Sequence, residues 1–362
     1  RGNNMTKQKE FGQYMTPKEI VTIILNNIGY IDETIFDKKI MEPSFGDGAF
    51  LTQIVEQIIL KGKKQNISNK NIAATLQSNV FGIEKDEELY NETIVKLNKM
   101  LDKYNLPQIN WTKHLLCGDT LLLYHKFENT FDYVVGNPPF VRIHNISMED
   151  RNLLKEFQFT NGMIDLYVLF YEIGIKMLNN TGKLGFITPN SFLKNMSQKQ
   201  FRNYLIENKY LSKLYDFKTS KIFPNANTYT CICILDKNHT DLVDYKEYDM
   251  YNIVNEYIFS SHKLLNKEWH FCNESETNFL EENSKCLKKL GNIATIQNGI
   301  VTNKDEIFIH KIFTDQNLSI PYKDNNAANV YFKDKNGTIV KIESTILKHC
   351  VKESKYNGNI DN

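Results

Sequence analysis

KIMEPSFGDGAFL, Lys39 to Leu51, passes from a short apolar run through a glycine-containing turn into a helix start. "KIMEP" has the length and residue types of a strand, and the apolar positions of "AFLTQIVEQIIL" recur at helical spacing. Gly46 and Gly48 between them let the backbone come close to a ligand. A strand that turns directly into a helix is the opening half of a parallel-sheet unit, and the chain continues in kind. "NVFGIEKD" reads as a second strand before the helical "EELYNETIVKLNKML", "HLLCGDTLL" as a third strand and "FDYVVGNPPF" as a fourth. "IDLYVLFYEIGIKMLNN" is an amphipathic helix, followed by "KLGFITPNSFL" as a fifth strand and "KQFRNYLIENKY" as helix. "LSKLYDF" and "TYTCICILDK" close the series as strands. The expectation is an α/β protein with a mostly parallel sheet and helices on both faces, binding its ligand beyond the carboxyl ends of the strands.

The alternation stops near residue 240. "DLVDYKEYDMYNIVNEYIFSSHKLLNKEWHF" is polar, tyrosine-rich and only weakly periodic, and later pieces such as "IATIQNGIVT" and "EIFIHKIF" are short and strand-like. We expect a catalytic domain over 1–240 and a smaller irregular domain over 241–362. The last residues, "SKYNGNIDN", close no element, so an incomplete second domain is expected. A length of 362 residues suits two domains. Charged residues make up 24% with a net charge of +1, so no global field marks a polyanion partner. A basic band from Lys183 to Lys221 reads either as a phosphate-facing surface or as a solvated face, and charge alone favours the latter. The six cysteines form no C-x-x-C pair, which argues against zinc and for reduced thiols in an intracellular protein. No apolar run reaches the ~20 residues a membrane helix needs.

The turn after the first strand carries two acids, Glu42 and Asp47. It is not G-x-G-x-x-G, so no pyrophosphate is implied. Carboxylates there favour a cationic or hydroxyl-bearing ligand, and S-adenosylmethionine has an ammonium, a sulfonium and a ribose diol. Glu84 ends the second strand, where an acid takes ribose hydroxyls. Asp119 follows the third, where it can accept from an adenine amine. Singly, each acid reads as a cap or turn residue; three at neighbouring strand ends form a pattern. In "GNPPF", the Asn137 oxygen and the Pro138 carbonyl are two acceptors stiffened by Pro138 and Pro139. Taking both N–H groups of a planar amine favours a tetrahedral nitrogen with a localised lone pair, and preorganisation is what makes such stabilisation effective. Phe140 can stack on a base. The plain alternative is a rigid proline turn.

These motifs together resemble the gamma class of N6-adenine DNA methyltransferases of restriction-modification systems. "FGQYMTP", "EPSFGDGAFL", "FGIEKD", "CGDT" and "GNPPF" follow in that class's order, and "GKLGFITPNSFL" and "IFPNANTYTCICIL" match its later motifs. "IATIQNGIVTNKDEIFI" is similar, more weakly, to the opening of its target-recognition domain. The resemblance implies a seven-stranded methyltransferase sheet whose last strand alone is antiparallel, with 241–362 as recognition domain. It implies that Tyr14, Thr16 and Pro17 line the cofactor pocket, with Pro43, Ser44, Gly46 and Asp47 in the cofactor turn. Glu42 falls at the amino-acid end, Glu84 at the ribose and Asp119 at the adenine. Catalysis falls to Asn137, Pro138, Pro139 and Phe140, with Phe223 as a second ring for the flipped base. Phe140 stands where Tyr is commoner. The implied partner is duplex DNA, bound by a monomer in the bacterial cytoplasm at the nucleoid, with a cognate restriction endonuclease as a further partner. No metal is implied. Two other readings stay open: a methyltransferase of RNA or protein glutamine, and a silent DNA-binding subunit.

Overall fold

The computed structural model describes residues 14–31, 33–141, 154–160, 165–223, 228–238, 241–266 and 268–271. It further describes isolated helical residues at 275, 279 and 282 and the backbone of two strands at 329–333 and 339–343. The chain divides into two compact units, Arg1–Thr277 and Asn278–Asn362. The strand-like pieces expected at "IATIQNGIVT" and "EIFIHKIF" lie outside the described residues.

The first unit is built on one sheet. Its strands are β1 (Ile40–Glu42), β2 (Val80–Glu84), β3 (Leu115–Cys117), β4 (Phe131–Gly136), β5 (Leu178–Pro189), β6 (Leu211–Asp216), β7 (Thr230–Asp236), β8 (Leu242–Asp249) and β9 (Asn252–Ser260). They lie in the order 3-2-1-4-5-7-6-8-9. β7 runs antiparallel to β5 and β6, and β9 antiparallel to β8, while the other neighbours are parallel. The sheet is therefore nine-stranded and mixed, not seven-stranded. β8 and β9 come from the polar, tyrosine-rich stretch after residue 240. On β8 only Val243, Tyr245 and Tyr248 are buried, and β9 is an edge strand exposed along most of its length. Such strands carry little apolar alternation, so pattern reading passes over them. The strand–helix alternation ends near residue 240, but the compact unit continues to Thr277.

Helices cover both faces. α1 (Lys18–Ile28), α2 (Ala49–Lys64), α3 (Asn69–Asn79) and α4 (Glu87–Lys103) pack through Ile24, Ile54, Leu76 and Leu97 onto one face. The short α5 is Thr120–Leu123. α6 (Leu166–Met177) and α7 (Lys199–Glu207) pack through Tyr171 and Phe201 onto the other. Successive strand residues serve opposite cores: Ile40 and Met41 divide this way, as do Val134 and Val135. Cys231 and Cys233 are buried two apart on β7 and fill one face. The sequence reading had no place for α1 and α3. α3 lies in a polar stretch between α2 and β2, where Ser68 caps the helix by accepting from Asn71 N and only Ile72, Ala73, Leu76 and Asn79 are buried. Among the described residues no helix is long and apolar enough to cross a membrane. In the second unit β10 (Asn329–Lys333) and β11 (Ile339–Glu343) pair antiparallel.

Candidate active site at the strand carboxyl ends

The strand order reverses between β1 and β4, and a crevice opens at such a point beyond the strand ends. A cavity of about 490 Å³ lies there. It is lined by Tyr14 and Thr16 ahead of α1, by Glu42, Pro43, Ser44, Gly46 and Asp47 after β1, by Glu84, by Asp119, and by Asn137 and Pro139 after β4. The sequence-predicted site thus gathers in one place, with four exceptions. Pro17 precedes α1, where its carbonyl accepts from Ile20 N and Val21 N, Pro138 is buried, and Phe140 and Phe223 pack outside the cavity lining.

The cofactor turn is built around Glu84. Its Oε2 accepts from Gly46 N at 2.6 Å and its Oε1 from Asp86 N at 2.8 Å. Burial raises its carboxyl above the ordinary range, and the N–H groups of Asp86, Gly46 and Lys85 oppose that rise. Glu42 is 2% exposed, and its Oε2 accepts from Leu51 N at 3.2 Å in the first turn of α2. Burial, and then the charge of Asp47, push its carboxyl well above the ordinary range. Burial of that kind disfavours the ionised form, and a cation beside it favours that form again.

Asp119 is both a cap and a cavity residue. Its Oδ1 accepts from Leu121 N at 2.9 Å at the start of α5, and its Oδ2 pairs with Lys85 Nζ at 2.7 Å. Lys85, Thr120, Leu121, Leu166 and Phe170 also line the cavity and were not foreseen. Lys85 and Thr120 each directly follow a foreseen acid, and Leu166 and Phe170 stand one helical turn apart, so these four carried a signal. The cavity's two lysines are committed, Lys85 to Asp119 and Lys96 to the Asp47 carbonyl at 2.7 Å. The cavity offers mainly carboxylate acceptors, which suit an ammonium, a diol and an amine rather than a pyrophosphate.

Asn137 occupies the end of β4. Its Nδ2 donates to the Tyr14 carbonyl at 3.0 Å and to Thr16 Oγ1 at 3.1 Å. Its Oδ1 is buried without a hydrogen-bond partner among the described residues, as is Ser44 Oγ. A buried acceptor left open at a cavity wall awaits a donor. Beside it, Tyr14 lies 5.6 Å from Phe140 and 5.7 Å from Phe223 between ring centroids, and Phe140 meets Phe223 edge to face at 5.8 Å and 81°.

Gly48 is the tightest point of the turn. Its φ is +78°, and a Cβ there would lie 2.6 Å from Thr93 Cγ2. Gly48→Ala therefore combines left-handed strain, worth ~1–2 kcal/mol, with a clash. Scanning calorimetry should show a fall in Tm of ~2–4 °C for each kcal/mol lost. Adding Thr93→Ser removes the clashing methyl and should restore part of the loss, leaving the backbone strain. An unchanged Tm in Gly48→Ala would show that the turn relaxes freely.

The basic band is partly neutralised. Lys183 pairs with Asp236, Lys209 with Asp241 and Lys218 with Glu247, while Arg202 is buried and donates to the carbonyls of Phe192 and Asn195. Lys194, Lys199 and Lys221 remain exposed.

The Eco57I restriction-modification methylase family model matches residues 6–223. The chain is 27% identical to the type II restriction enzyme and methyltransferase RM.Eco57I of Escherichia coli, over 83% of this chain and 36% of that protein. It is 30% identical to the type II methyltransferase M.BstVI of Geobacillus stearothermophilus, over 64% of this chain and 43% of that protein. It thus spans less than half the length of these curated relatives. Among solved structures it resembles a nuclease-deletion mutant of the type ISP restriction-modification enzyme LlaGI (TM-score 0.53, 19% identity, 70% of this chain and 25% of that one). It also resembles a chain of a type I restriction-modification system (TM-score 0.54, 16% identity, 76% and 64%). The structural likenesses speak for the fold. The family match spans both sides of the cavity, from the segment before α1 to Phe223, and by it this chain belongs to the Eco57I restriction-modification methylase family.

Proposed function

We propose that this chain is the methyl-transferring part of a restriction-modification enzyme, acting from S-adenosylmethionine on the N6 amine of adenine in duplex DNA. The observation that carries the reading is the open Oδ1 of Asn137, in the same cavity as the buried acids Glu42 and Glu84. Bound, S-adenosylmethionine supplies an electrophilic methyl group on a sulfonium. Glu42 would hold its ammonium, Glu84 its ribose hydroxyls and Asp119 its adenine amine, with Tyr14, Thr16, Pro43, Ser44, Gly46 and Asp47 as the surrounding wall.

Asn137 Oδ1, with the Pro138 carbonyl as second acceptor, would accept from the target amine and localise its lone pair. The amine reaches this point only if the base leaves the duplex stack. Phe140 and Phe223 then stack the base, and since the two rings now touch edge to face, they must part to admit it. Each such stack is worth ~1–3 kcal/mol. The residues beyond the catalytic part, which we place within 241–362, choose the DNA sequence. The enzyme acts as a monomer on bacterial DNA in the cytoplasm, paired with a cognate nuclease activity.

Methylation of a plasmid library, followed by sequencing that detects N6-methyladenine, tests activity and site together. Parallel arms offer RNA and protein acceptors, whose planar amines present the same local chemistry. Transfer to either of those and not to DNA overturns the substrate. Failure to bind S-adenosylmethionine by calorimetry makes the chain a silent DNA-binding subunit.

Glu42 provides a pH-linked test of the cofactor pocket. Burial raises its carboxyl in the empty pocket and an ammonium beside it favours the ionised form, so binding releases a proton wherever the carboxyl is protonated beforehand. Affinity should then rise with pH across the range where Glu42 titrates in the empty pocket. The measurement is calorimetry near pH 6.5, below the ~7.7–8.0 of an α-amino group, in buffers of different ionisation heat. The observed heat should vary with buffer in the parent and not in Glu42→Gln. Equal heats in all buffers for the parent would move the ammonium away from Glu42.

A further inference from the structure

We infer that the segment Tyr14–Thr16 is an orientation lock on the Asn137 amide, and that Thr16 acts as a positioning residue for methyl transfer rather than only as a wall of the cavity. The inference rests on the proposed role of Asn137. An asparagine amide has two faces of opposite polarity, an oxygen that accepts and an NH₂ that donates. Which atom faces the substrate decides whether the site accepts from an amine or repels it. Here the neighbours decide it. The Tyr14 carbonyl, 3.0 Å away, can only accept, so the atom facing it must be the NH₂. A flipped amide would set two carbonyl oxygens against each other at that distance. Thr16 Oγ1 takes the same NH₂ at 3.1 Å. Both donor hydrogens are thereby occupied, and Oδ1 is left as the open atom.

The lock is remote in sequence. Tyr14 and Thr16 lie 123 and 121 residues from Asn137, just ahead of α1. Tyr14 also places its ring 5.6 Å from Phe140 and 5.7 Å from Phe223. One short segment therefore touches both the acceptor for the amine and the rings for the base. An acceptor held in place before the base arrives needs no reorganisation during reaction, which is where electrostatic stabilisation gains its strength.

Three measurements test the lock. The first is the pH profile of Asn137→Asp. The ionised carboxylate would face the Tyr14 carbonyl with like polarity. The protonated acid would donate its O–H to that carbonyl and keep its C=O toward the cavity. Single-turnover methyl transfer in this variant should therefore fall as pH rises through the titration of the introduced carboxyl, relative to the parent at each pH. A variant profile parallel to the parent's overturns the lock.

The second is Thr16→Val against Thr16→Ser at saturating cofactor and DNA. Thr16→Val should slow transfer about tenfold, with cofactor affinity within about twofold of the parent, and Thr16→Ser should recover most of the rate because it keeps the acceptor. A weakened cofactor with an unchanged rate makes Thr16 a cofactor contact only. The third measurement needs no activity. The Asn137 NH₂ pair, identified by NMR through its absence from the Asn137→Asp spectrum, should exchange slowly in the parent and faster in Thr16→Val. Rapid exchange in the parent overturns the lock. Slow exchange in a protein that methylates no DNA keeps the lock and overturns the substrate assignment.

Discussion

Asn137→Ala is expected to slow single-turnover methyl transfer by a hundred- to a thousandfold, while cofactor affinity and Tm stay close to the parent. Losing one preorganised electrostatic contact commonly has that effect on turnover. The loss falls on the chemical step because the amine of the free base is planar, and the bond to Oδ1 strengthens only as the nitrogen becomes tetrahedral. Stability should change little. The Asn137 Oδ1 has no partner to lose, and the Nδ2 partners, Tyr14 O and Thr16 Oγ1, lie at the cavity wall where water can replace the amide. The measurement is rapid quench at saturating S-adenosylmethionine and DNA. A rate within tenfold of the parent would remove Asn137 from the mechanism.

The acids and the amide of the cavity were legible in the sequence because each sits at or just after the end of a strand that announces itself. β1, β2 and β4 are buried along almost their whole length, and buried parallel strands read as apolar runs. An acid or an amide directly after such a run is conspicuous, and Glu42, Glu84 and Asn137 stand out in this way. Asp119 taken singly read as a cap, since a cap and a ligand contact look alike in sequence, and in the structure it caps α5 and lines the cavity. What could not be read is how these groups hold one another. The hydrogen bond from Gly46 to Glu84 spans 38 residues and that from Asn137 to Tyr14 spans 123, and no local pattern encodes either.

The outer strands failed for the opposite reason. β9 ends the sheet and has residues such as Val254 and Ile258 exposed at 56% and 70%, so burial imposes no alternation on it. Its partner β8 is ordered by a few aromatic contacts, such as Tyr245 stacked 4.2 Å from Phe271. The helix α3 was likewise hidden by a narrow apolar stripe. Phe223 departs in a subtler way. Its motif marked it as a ring for the base, yet it is 3% exposed and packed against Tyr14 and Phe140. A motif marks a ring's type and place, not how closely residues remote in sequence pack on it.

Glu84→Ala is expected to weaken S-adenosylmethionine binding by a factor of roughly 10² to 10⁴. Two ribose hydroxyls donating to one carboxylate are charge-assisted bonds of ~1.5–3 kcal/mol each, and ~1.4 kcal/mol corresponds to tenfold in affinity. The loss exceeds that expected at Asp119, about tenfold for Asp119→Asn, for a physical reason. Asp119 is 24% exposed at its side chain and already shares Oδ2 with Lys85, so solvent and a cation screen its bond to a ligand. Glu84 is 4% exposed, and among the described residues its oxygens meet only backbone N–H groups. Glu84→Gln should give no rescue. Each carboxylate oxygen accepts one N–H, from Gly46 and from Asp86, and an amide placed there would set its NH₂ against one of those donors. Both variants should therefore also loosen the Gly46 turn. Calorimetric titration with the cofactor and with its demethylated product measures the loss, and circular dichroism of the same samples separates it from unfolding. The product lacks the sulfonium charge but keeps the ribose, so the same factor should appear for both ligands. A folded Glu84→Ala that binds either within tenfold of the parent would take the ribose away from Glu84 and with it the placement of the cofactor in this cavity.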